Sequence, residues 1–177
     1  KGSKADYGDL LLLGSSAPRY LFGFNLGFET HGFDFSAFVQ GVGQRTFLAG
    51  SESVGPLLVT WKQAMGIHRD YWTPENPNAL FPRPFVGATH NFGTSDKWAF
   101  NGQYARLKNI QLGYTLPNIL TKKIGVSKAR VYVSGQDILT VSAMGKFGTL
   151  FDPESANNAD NDYPYFSTAS VGVNLSF

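Results

Sequence analysis

The residues best suited to binding chemistry are aromatic, and the densest group of them lies in one long segment, residues 46–102. Flat aromatic rings can stack on sugar rings or pack against a partner protein, and the prolines of this segment reduce the entropy lost on ordering. The alternative is that these rings form a core within the segment or a belt at an interface, because large apolar side chains are mostly packed. The candidate contact residues are Trp61, Tyr71, Trp72, Phe81, Phe85 and Trp98.

An acidic stretch, FDPESANNADNDYP at residues 151–164, offers oxygen ligands of the kind that Ca²⁺ prefers. Its spacing does not match an EF-hand loop, which needs Gly at the sixth position and Glu at the twelfth. Asn, Asp, Ser and Pro favour turns for local backbone reasons, so we interpret the stretch as a solvated turn. No cofactor is expected, and calcium remains the alternative. The four carboxylates belong to Asp152, Glu154, Asp160 and Asp162.

The remaining polar residues give little support to catalysis or metal binding. His31, His68 and His90 are far apart in the sequence, and no two of them share a strand face. There is no Ser/His/Asp constellation, phosphate-cradling glycine loop or HExxH motif, and there is no cysteine. A sandwich-fold glycosidase would need a positioned pair of carboxylates, and no convincing pair is present. We therefore expect that the chain is not an enzyme.

The composition is poor in charge and rich in aromatic residues. Charged residues make up 16% of the chain, against about 25% in a typical soluble domain, and aromatic residues make up 15%. The formal charge of +2 comes from scattered residues without a basic stripe, so no nucleic-acid partner is expected. No window approaches eighteen consecutive apolar residues, which argues against a membrane helix.

The elements that must position these residues are strands with one apolar side. In SVGVNLSF at 170–177, apolar residues alternate with Ser, Gly and Asn, and similar alternation recurs along the chain. The opposite faces carry Gly, Asn, Gln and Ser where a soluble surface would carry Lys and Glu. The predicted strands are about 20–30, 33–45, 103–116, 129–142 and 165–177.

The connections between these strands alternate between short and long. The links at about 31–32 and 118–128 are short or moderate, whereas those at about 46–102 and 143–164 are long. In an up-and-down antiparallel arrangement both long links lie at the same end, as they do in outer-membrane barrels. A soluble β-sandwich that binds carbohydrate through exposed aromatic rings remains the alternative, since it also uses one apolar face per strand.

An ordered set of motifs resembles one family. NGQYARLKNIQLGYTLP (101–117), ARVYVSGQDILTVS (129–142), FDPE (151–154), DYP (162–164) and the final SVGVNLSF resemble the C-terminal part of SusC/RagA TonB-dependent outer-membrane transporters of Bacteroidetes. The upstream stretch 14–43 is similar to the strand pair that precedes this region in the family. Two departures are modest: Asp137 stands where Asn is expected, and Ala105 where a bulkier residue is common.

The resemblance implies an all-β fold in which residues 1–177 form about five antiparallel, up-and-down strands. They would be the C-terminal part of a 22-stranded transmembrane β-barrel in the bacterial outer membrane. The function implied is TonB-dependent import of oligosaccharides or oligopeptides. The implied partners are the N-terminal barrel and plug of the same transporter, a SusD-like surface lipoprotein acting as a lid, membrane lipid, and the TonB complex through segments that this chain lacks.

The resemblance also implies roles for individual residues. The links at 46–102 and 143–164 would be extracellular, and Phe177 would lie at the periplasmic end. Glu29, Asp34 and Asp137 could contact the plug or line the solute path, or be hydrated wall residues. A C-terminal signal for the outer-membrane assembly machinery would comprise Val171, Val173, Leu175 and Phe177.

Overall fold

The structure is a computed structural model that describes Gly8, residues 10–59, residues 63–155 and residues 166–177. Its main element is a five-stranded antiparallel sheet in which β1, β2, β5, β6 and β7 follow one another in that order. Two short strands, β3 and β4, pair separately. The strands are β1 Tyr20–Thr30, β2 Phe33–Gly43, β3 Thr46–Leu48, β4 Ala99–Asn101, β5 Tyr104–Thr115, β6 Lys128–Ser142 and β7 Thr168–Ser176.

The expectation of an all-β, antiparallel fold is confirmed by this topology. β2 ends two residues earlier than the alternation indicated, because Gln44 adopts a positive φ of 49° and turns the chain. β7 begins at Thr168, and residue 165, where the sequence analysis began that strand, lies outside the described residues.

The strand registers bring the apolar residues of all five strands onto one face. Antiparallel partners lie on the same side of a sheet, so a chain of pairings traces a row across it. One such row is apolar throughout, and the next row is made of small and polar residues. The apolar row is Phe28, Phe35, Leu112, Val133 and Val171, and the neighbouring row is Gly27, Ser36, Gln111, Ser134 and Ser170.

The apolar face is exposed rather than packed. Phe28, Leu112, Val133 and Val171 are all among the exposed large hydrophobic residues. A β-sandwich needs a second sheet over this face, and the only other sheet among the described residues is the short β3–β4 pair. The sandwich alternative is therefore contradicted for the part of the chain that the structure describes.

The β1–β2 connection is a two-residue turn. His31 and Gly32 have φ values of 48° and 84°, and positive φ at both central residues is the type I′ geometry that matches the twist of a hairpin. A Cβ atom at Gly32 would lie 2.9 Å from the carbonyl oxygen of Thr115. The position therefore requires glycine for both its backbone angle and its space.

The longer link between β5 and β6 is a short helical segment. Helix α2, Asn118–Thr121, begins after Pro117 and continues as a 3₁₀ turn, Lys122–Ile124. Gly125 ends it with a left-handed φ of 76°.

A β-bulge interrupts the sheet at the other end of β5 and β6. The pairing moves from Asn109–Gln136 to Leu107–Leu139, so two residues of β6, Asp137 and Ile138, face only Lys108 of β5. Asp137 occupies the left-handed region at φ 51°. Asp and Asn tolerate this region better than other non-glycine residues, which gives a physical reason for the Asp or Asn found at this point of the motif.

The long segment between β2 and β5 is folded. It contains β3, helix α1 (Ser51–Val54), three 3₁₀ turns and β4. No helix within the described ranges is long and apolar enough to cross a membrane.

Candidate functional site

A cluster of buried hydrophobic residues lies in the described parts of the two long connections. Phe47 of β3 packs with Phe81 and Trp98 from the first connection and with Phe147 and Phe151 from the second. The Phe81 ring centroid lies 5.8 Å from that of Trp98 and 5.7 Å from that of Phe147. We call these ten buried residues the loop core: Phe47, Ala49, Val54, Leu58, Phe81, Phe92, Trp98, Met144, Phe147 and Phe151.

A buried histidine joins two parts of the first connection beside the loop core. The Met65 backbone N–H donates to Nδ1 of His68 at 2.8 Å, so the proton of the neutral ring is on Nε2, which donates to the Val54 carbonyl at 3.1 Å. His31 lies in the β1–β2 turn and His90 in a 3₁₀ turn. Within the described residues there is no group of three or more His, Cys, Asp or Glu side chains that could hold a metal.

An ion-pair cluster fastens the second connection to the polar face of the sheet. Arg106 of β5 is almost fully buried; its Nη2 donates to Asp152 at 2.6 Å and its Nη1 to Glu154 at 2.9 Å. Lys108 donates to Glu154 at 2.6 Å and contacts Asp137 at 3.3 Å. These five residues form the latch cluster, in which charge-assisted hydrogen bonds are stronger than neutral ones.

Further bonds hold the same acidic segment in place. Arg45 donates to the carbonyl oxygens of Pro153 and Ser155 at 2.8 and 2.7 Å, and the Tyr104 hydroxyl donates to Glu154 at 3.1 Å. The segment does turn at residues 153 and 154, but the interpretation of Asp152 and Glu154 as solvated is wrong, because both carboxylates are largely shielded and paired with cations. Asp160 and Asp162 lie outside the described residues.

A separate ion pair joins the two connections at the surface. Lys146 donates to Asp70 at 3.2 Å, and the Asn76 amide donates to the same carboxylate at 3.3 Å. The hydrogen bond from Lys146, followed by that from Asn76, lowers the pKa of Asp70 below its ordinary value of 3.8. Because the group is exposed, solvent and salt weaken this pair.

At the opposite end of the polar face, Arg130 of β6 forms a bidentate pair with Asp34 of β2 and also donates to Gln111 at 3.0 Å. A polar groove of about 520 Å³ lies beside this pair and is also lined by Glu29 and Lys128. Asp34, one of the three carboxylates singled out in the sequence, is thus a paired wall residue that borders open space.

The predicted aromatic contact residues fall into two groups. Phe81 and Trp98 are 1% exposed and belong to the loop core, as the alternative interpretation held. Tyr71, Trp72 and Phe85 are 38%, 42% and 54% exposed and are available for contact. Trp61 lies outside the described residues.

Two of the exposed rings border one pocket. Trp72 and Phe85 line a shallow space of about 370 Å³ together with Pro77, Pro82, Arg83 and Lys97. We call this space the loop pocket. No residue of the five-stranded sheet lines the loop pocket, so the shape of this pocket depends on the loop core beneath it.

The latch cluster was missed by reasoning from the sequence. A signal was present, because Arg106 and Lys108 are cations in a strand whose other polar-face residues are Asn109, Gln111 and Gly113. Asp152 and Glu154 lie more than forty residues further along the chain, and nothing in the local pattern indicates that these carboxylates will reach Arg106 and Lys108.

Known proteins that are similar to this chain belong to one class, the outer-membrane receptors and transporters. No protein-family model matches the chain. Its sequence is nevertheless similar over nearly its whole length to TonB-dependent receptors, and its fold to solved peptide transporters. The resemblance to SusC/RagA TonB-dependent transporters is confirmed.

Particular relatives can then be named. TonB-dependent receptor P3 and TonB-dependent receptor P26, both of Formosa agariphila, are each 30% identical to the chain over 96% of its length. The chain spans only 17% and 18% of these relatives. All of these matches are to proteins named as receptors or transporters, not as enzymes.

Solved structures with a similar fold are also transporters. The structure of the RagAB peptide transporter superposes with a TM-score of 0.70 at 27% identity, over 93% of this chain and 18% of the other. The RagAB peptide importer in its open-open and closed-closed states gives TM-scores of 0.69 at 26% identity over 97% of this chain.

Proposed function

We propose that this chain forms part of the wall and of the outer loops of a TonB-dependent nutrient importer in the bacterial outer membrane. The rest of a 22-stranded barrel, and a plug inside it, would come from segments that this chain lacks. The observation that carries the proposal is the exposed apolar face, aligned in register across all five strands.

The dimensions of the sheet support a membrane location for that face. A strand of eleven residues such as β1, at about 3.4 Å per residue and tilted by about 40°, spans about 26 Å, close to the apolar band of an outer-membrane barrel. An apolar surface of this extent would drive aggregation in water. Contact with lipid would shield the surface from water without aggregation.

Aromatic side chains flank the apolar band, as the interfacial girdles of such barrels require. Tyr20 and Phe22 lie at the end of the sheet beside the long connections. Phe33 and Tyr114 pack with ring centroids 4.6 Å apart at the end beside the short turns. Between these two ends of the sheet, one row of paired residues has no aromatic side chain. It consists of Leu26, Ala37, Ile110, Gly135 and Ala169.

The polar face would then line the barrel lumen. The Asp34–Arg130 pair and the polar groove beside it are suited to contact the plug, because a hydrated wall with both signs of charge can exchange hydrogen bonds with it. The latch cluster holds the second connection over the same face at its other end.

The long connections would be extracellular, because outer-membrane barrels carry short periplasmic turns and longer outer loops. A SusD-like lipoprotein lid would dock on this side, and the exposed Tyr71, Trp72 and Phe85 would contact the lid or the imported oligosaccharide or oligopeptide. The buried Phe81 and Trp98 would support these contacts from below. TonB would supply energy through segments outside this chain.

We also propose that Val171, Val173, Leu175 and Phe177 form the signal read by the assembly machinery. All four side chains lie on the apolar face or continue its alternation, and all four are exposed. An edge strand with a free apolar face can be bound by another sheet edge during assembly.

Single-cysteine spin labelling of the whole receptor in lipid tests the proposed function. The chain has no cysteine of its own. A label at Val133→Cys should be relaxed by oxygen, which concentrates in lipid, and a label at the adjacent Ser134→Cys should be relaxed by a water-soluble nickel complex. If import is coupled to TonB, cells should also stop taking up the receptor's substrate when the proton gradient is collapsed.

The two label sites are matched because they are neighbours in β6, a strand that is paired on both sides, and differ only in the face they occupy. Equal access of the nickel complex to both sites would refute the membrane-wall proposal. Uptake that persists without a proton gradient would refute TonB coupling separately.

A further inference from the structure

The loop pocket combines two exposed aromatic rings with two cations. It is lined by Trp72, Phe85, Arg83 and Lys97, and no Asp or Glu side chain lines it. Its volume of about 370 Å³ lies near the lower end of the range for small-ligand sites. A ligand that fits this lining has an anionic group and flat apolar faces.

The two cations are held by rings and not by carboxylates. The guanidinium of Arg83 lies 5.7 Å from the Phe85 ring centroid, and the Lys97 ammonium lies 5.4 Å from that of Trp98. Neither makes an ion pair within the described residues, whereas Arg106, Lys108 and Lys146 all do. Among the described residues, no carboxylate therefore competes with an anion for either charge.

The pocket is preformed because its walls are tied to the loop core. The Trp72 N–H donates to the Phe81 carbonyl at 2.8 Å, and the Phe81 N–H donates to the Asp70 backbone carbonyl at 3.0 Å. The Trp98 indole donates to the Asn91 carbonyl at 3.0 Å. Rigid walls reduce the entropy that a ligand must overcome on binding.

We propose that the loop pocket binds a uronic acid residue of an oligosaccharide. Trp72 and Phe85 stack on the apolar faces of the sugar ring, and Arg83 and Lys97 bind its carboxylate. An Arg side chain matches a carboxylate with two parallel hydrogen bonds, and Lys adds a point charge. The inference rests on the proposed function, for which it names the class of substrate.

The lining favours a sugar over an acidic peptide. Extended peptides are bound through main-chain hydrogen bonds to a strand edge. The loop pocket is bounded by loop segments that include Pro77 and Pro82, which have no backbone N–H to donate. Aromatic faces and side-chain cations remain as the main recognition groups, and these suit an acidic sugar.

Calorimetric titration of the purified whole receptor in detergent tests this site with three named probes. Tetragalacturonate should bind, and its affinity should fall as salt is raised because the contact is charged. Maltotetraose, a neutral sugar of the same length, and tetraglutamate, an acidic peptide, should bind at least about tenfold more weakly. Equal or tighter binding of either control, or no binding of tetragalacturonate, overturns the proposal.

Variants connect any binding to this pocket. The double variant R83Q/K97Q replaces both cations with neutral polar side chains, and should weaken tetragalacturonate binding by about tenfold or more, since one charge-assisted hydrogen bond accounts for that factor. Trp72→Leu should weaken it severalfold through lost stacking. The matched control K122Q/K123Q removes two charges from the exposed helical segment after α2 and should bind as the parent does.

The readouts separate this inference from the proposed function. Unchanged affinity in R83Q/K97Q, in a receptor whose circular dichroism matches the parent, would overturn the pocket proposal. The spin-label pattern at Val133 and Ser134 would still stand, so the membrane-wall proposal would survive. A failure of that pattern would refute the importer whatever the titration gave.

Discussion

At the scale of single residues, charge pairing determines the conformation of the second long connection. Arg106 is nearly inaccessible to solvent, and the docked carboxylates of Asp152 and Glu154 compensate its charge. A buried charge that loses a partner is costly. The latch cluster therefore fastens the segment at 151–155 to the polar face of the sheet.

Glu154→Gln should loosen that segment. Glu154 accepts hydrogen bonds from Tyr104, Arg106 and Lys108, and loss of its charge should weaken the latch by about 1–3 kcal/mol. Amide hydrogen exchange of residues 145–155 in the whole receptor should become about ten- to hundredfold faster. The matched control is Glu75→Gln, at an exposed position, which should leave exchange unchanged. Unaltered exchange in the latch variant would show that packing around Phe147 and Phe151 holds the segment without the charges.

The aromatic residues of the first connection form a buried set and an exposed set, and this difference in burial gives the two sets different roles. Phe81 and Trp98 fill the loop core, so their replacement would disturb the fold of both connections before it affected any ligand. Trp72 and Phe85 are exposed at the loop pocket. Only the second group can report on binding without a change in folding.

At the scale of elements, the β1–β2 hairpin depends on its two left-handed residues. His31 tolerates φ 48° at some cost, whereas Gly32 at φ 84° also has no room for a side chain. The turn fixes the register of β1 against β2, and a slip of one residue would move every apolar side chain of β1 to the polar face.

Gly32→Ala should destabilise the receptor. The left-handed backbone alone costs a non-glycine residue about 1–2 kcal/mol, and the close approach of the Thr115 carbonyl adds to it. The free energy of unfolding, measured by denaturant titration of the receptor in detergent, should fall by at least that amount. Gly66→Ala is the control, because a Cβ atom there meets nothing within 4 Å. Equal stability of the two variants would contradict the turn assignment.

The bulge at Asp137 is a second element that sets side-chain direction. The extra residue in β6 lets Lys108 and Asp137 meet on the polar face, while the side chain of Ile138 lies over Gly135, where an added Cβ atom would be 3.0 Å from it. A regular strand would have alternated these side chains strictly. The bulge thus brings Asp137 into contact with Lys108 of the latch cluster.

At the scale of the whole molecule, the sheet has two open edges. Within the described residues β1 and β7 each pair on one side only, and the apolar face is uncovered. These are the properties of a wall segment that is completed by neighbouring strands and lipid. Assembly into a larger barrel, under the proposed function, satisfies both needs at once.

Phe177→Ala should impair assembly of the receptor into the outer membrane. Phe177 is among the most exposed large side chains of the chain and extends the apolar face beyond β7. The expected result is a severalfold lower amount of heat-modifiable, folded receptor in the outer membrane, with normal uptake per folded molecule. Phe166→Ala, the same change near the other end of β7, serves as the control. An equal loss in both variants would indicate general destabilisation of β7 and contradict a specific assembly signal.

The sequence by itself determined the strands and their apolar faces. Alternation is a local property: residues two apart lie on the same side of any extended chain, so the faces of β1, β2 and β7 could be assigned before their partners were known. The ordered motifs at 101–117 and 129–142 added the resemblance that the comparisons confirm.

Only the tertiary structure decided which side chains meet across long separations. It buried Phe81 and Trp98 while leaving Trp72 and Phe85 exposed, although all four belong to one aromatic segment. It also paired Arg106 with carboxylates about forty-six residues away. Such contacts depend on the path of the whole chain and on which surfaces exclude water together, and neither is encoded in the spacing of neighbouring residues.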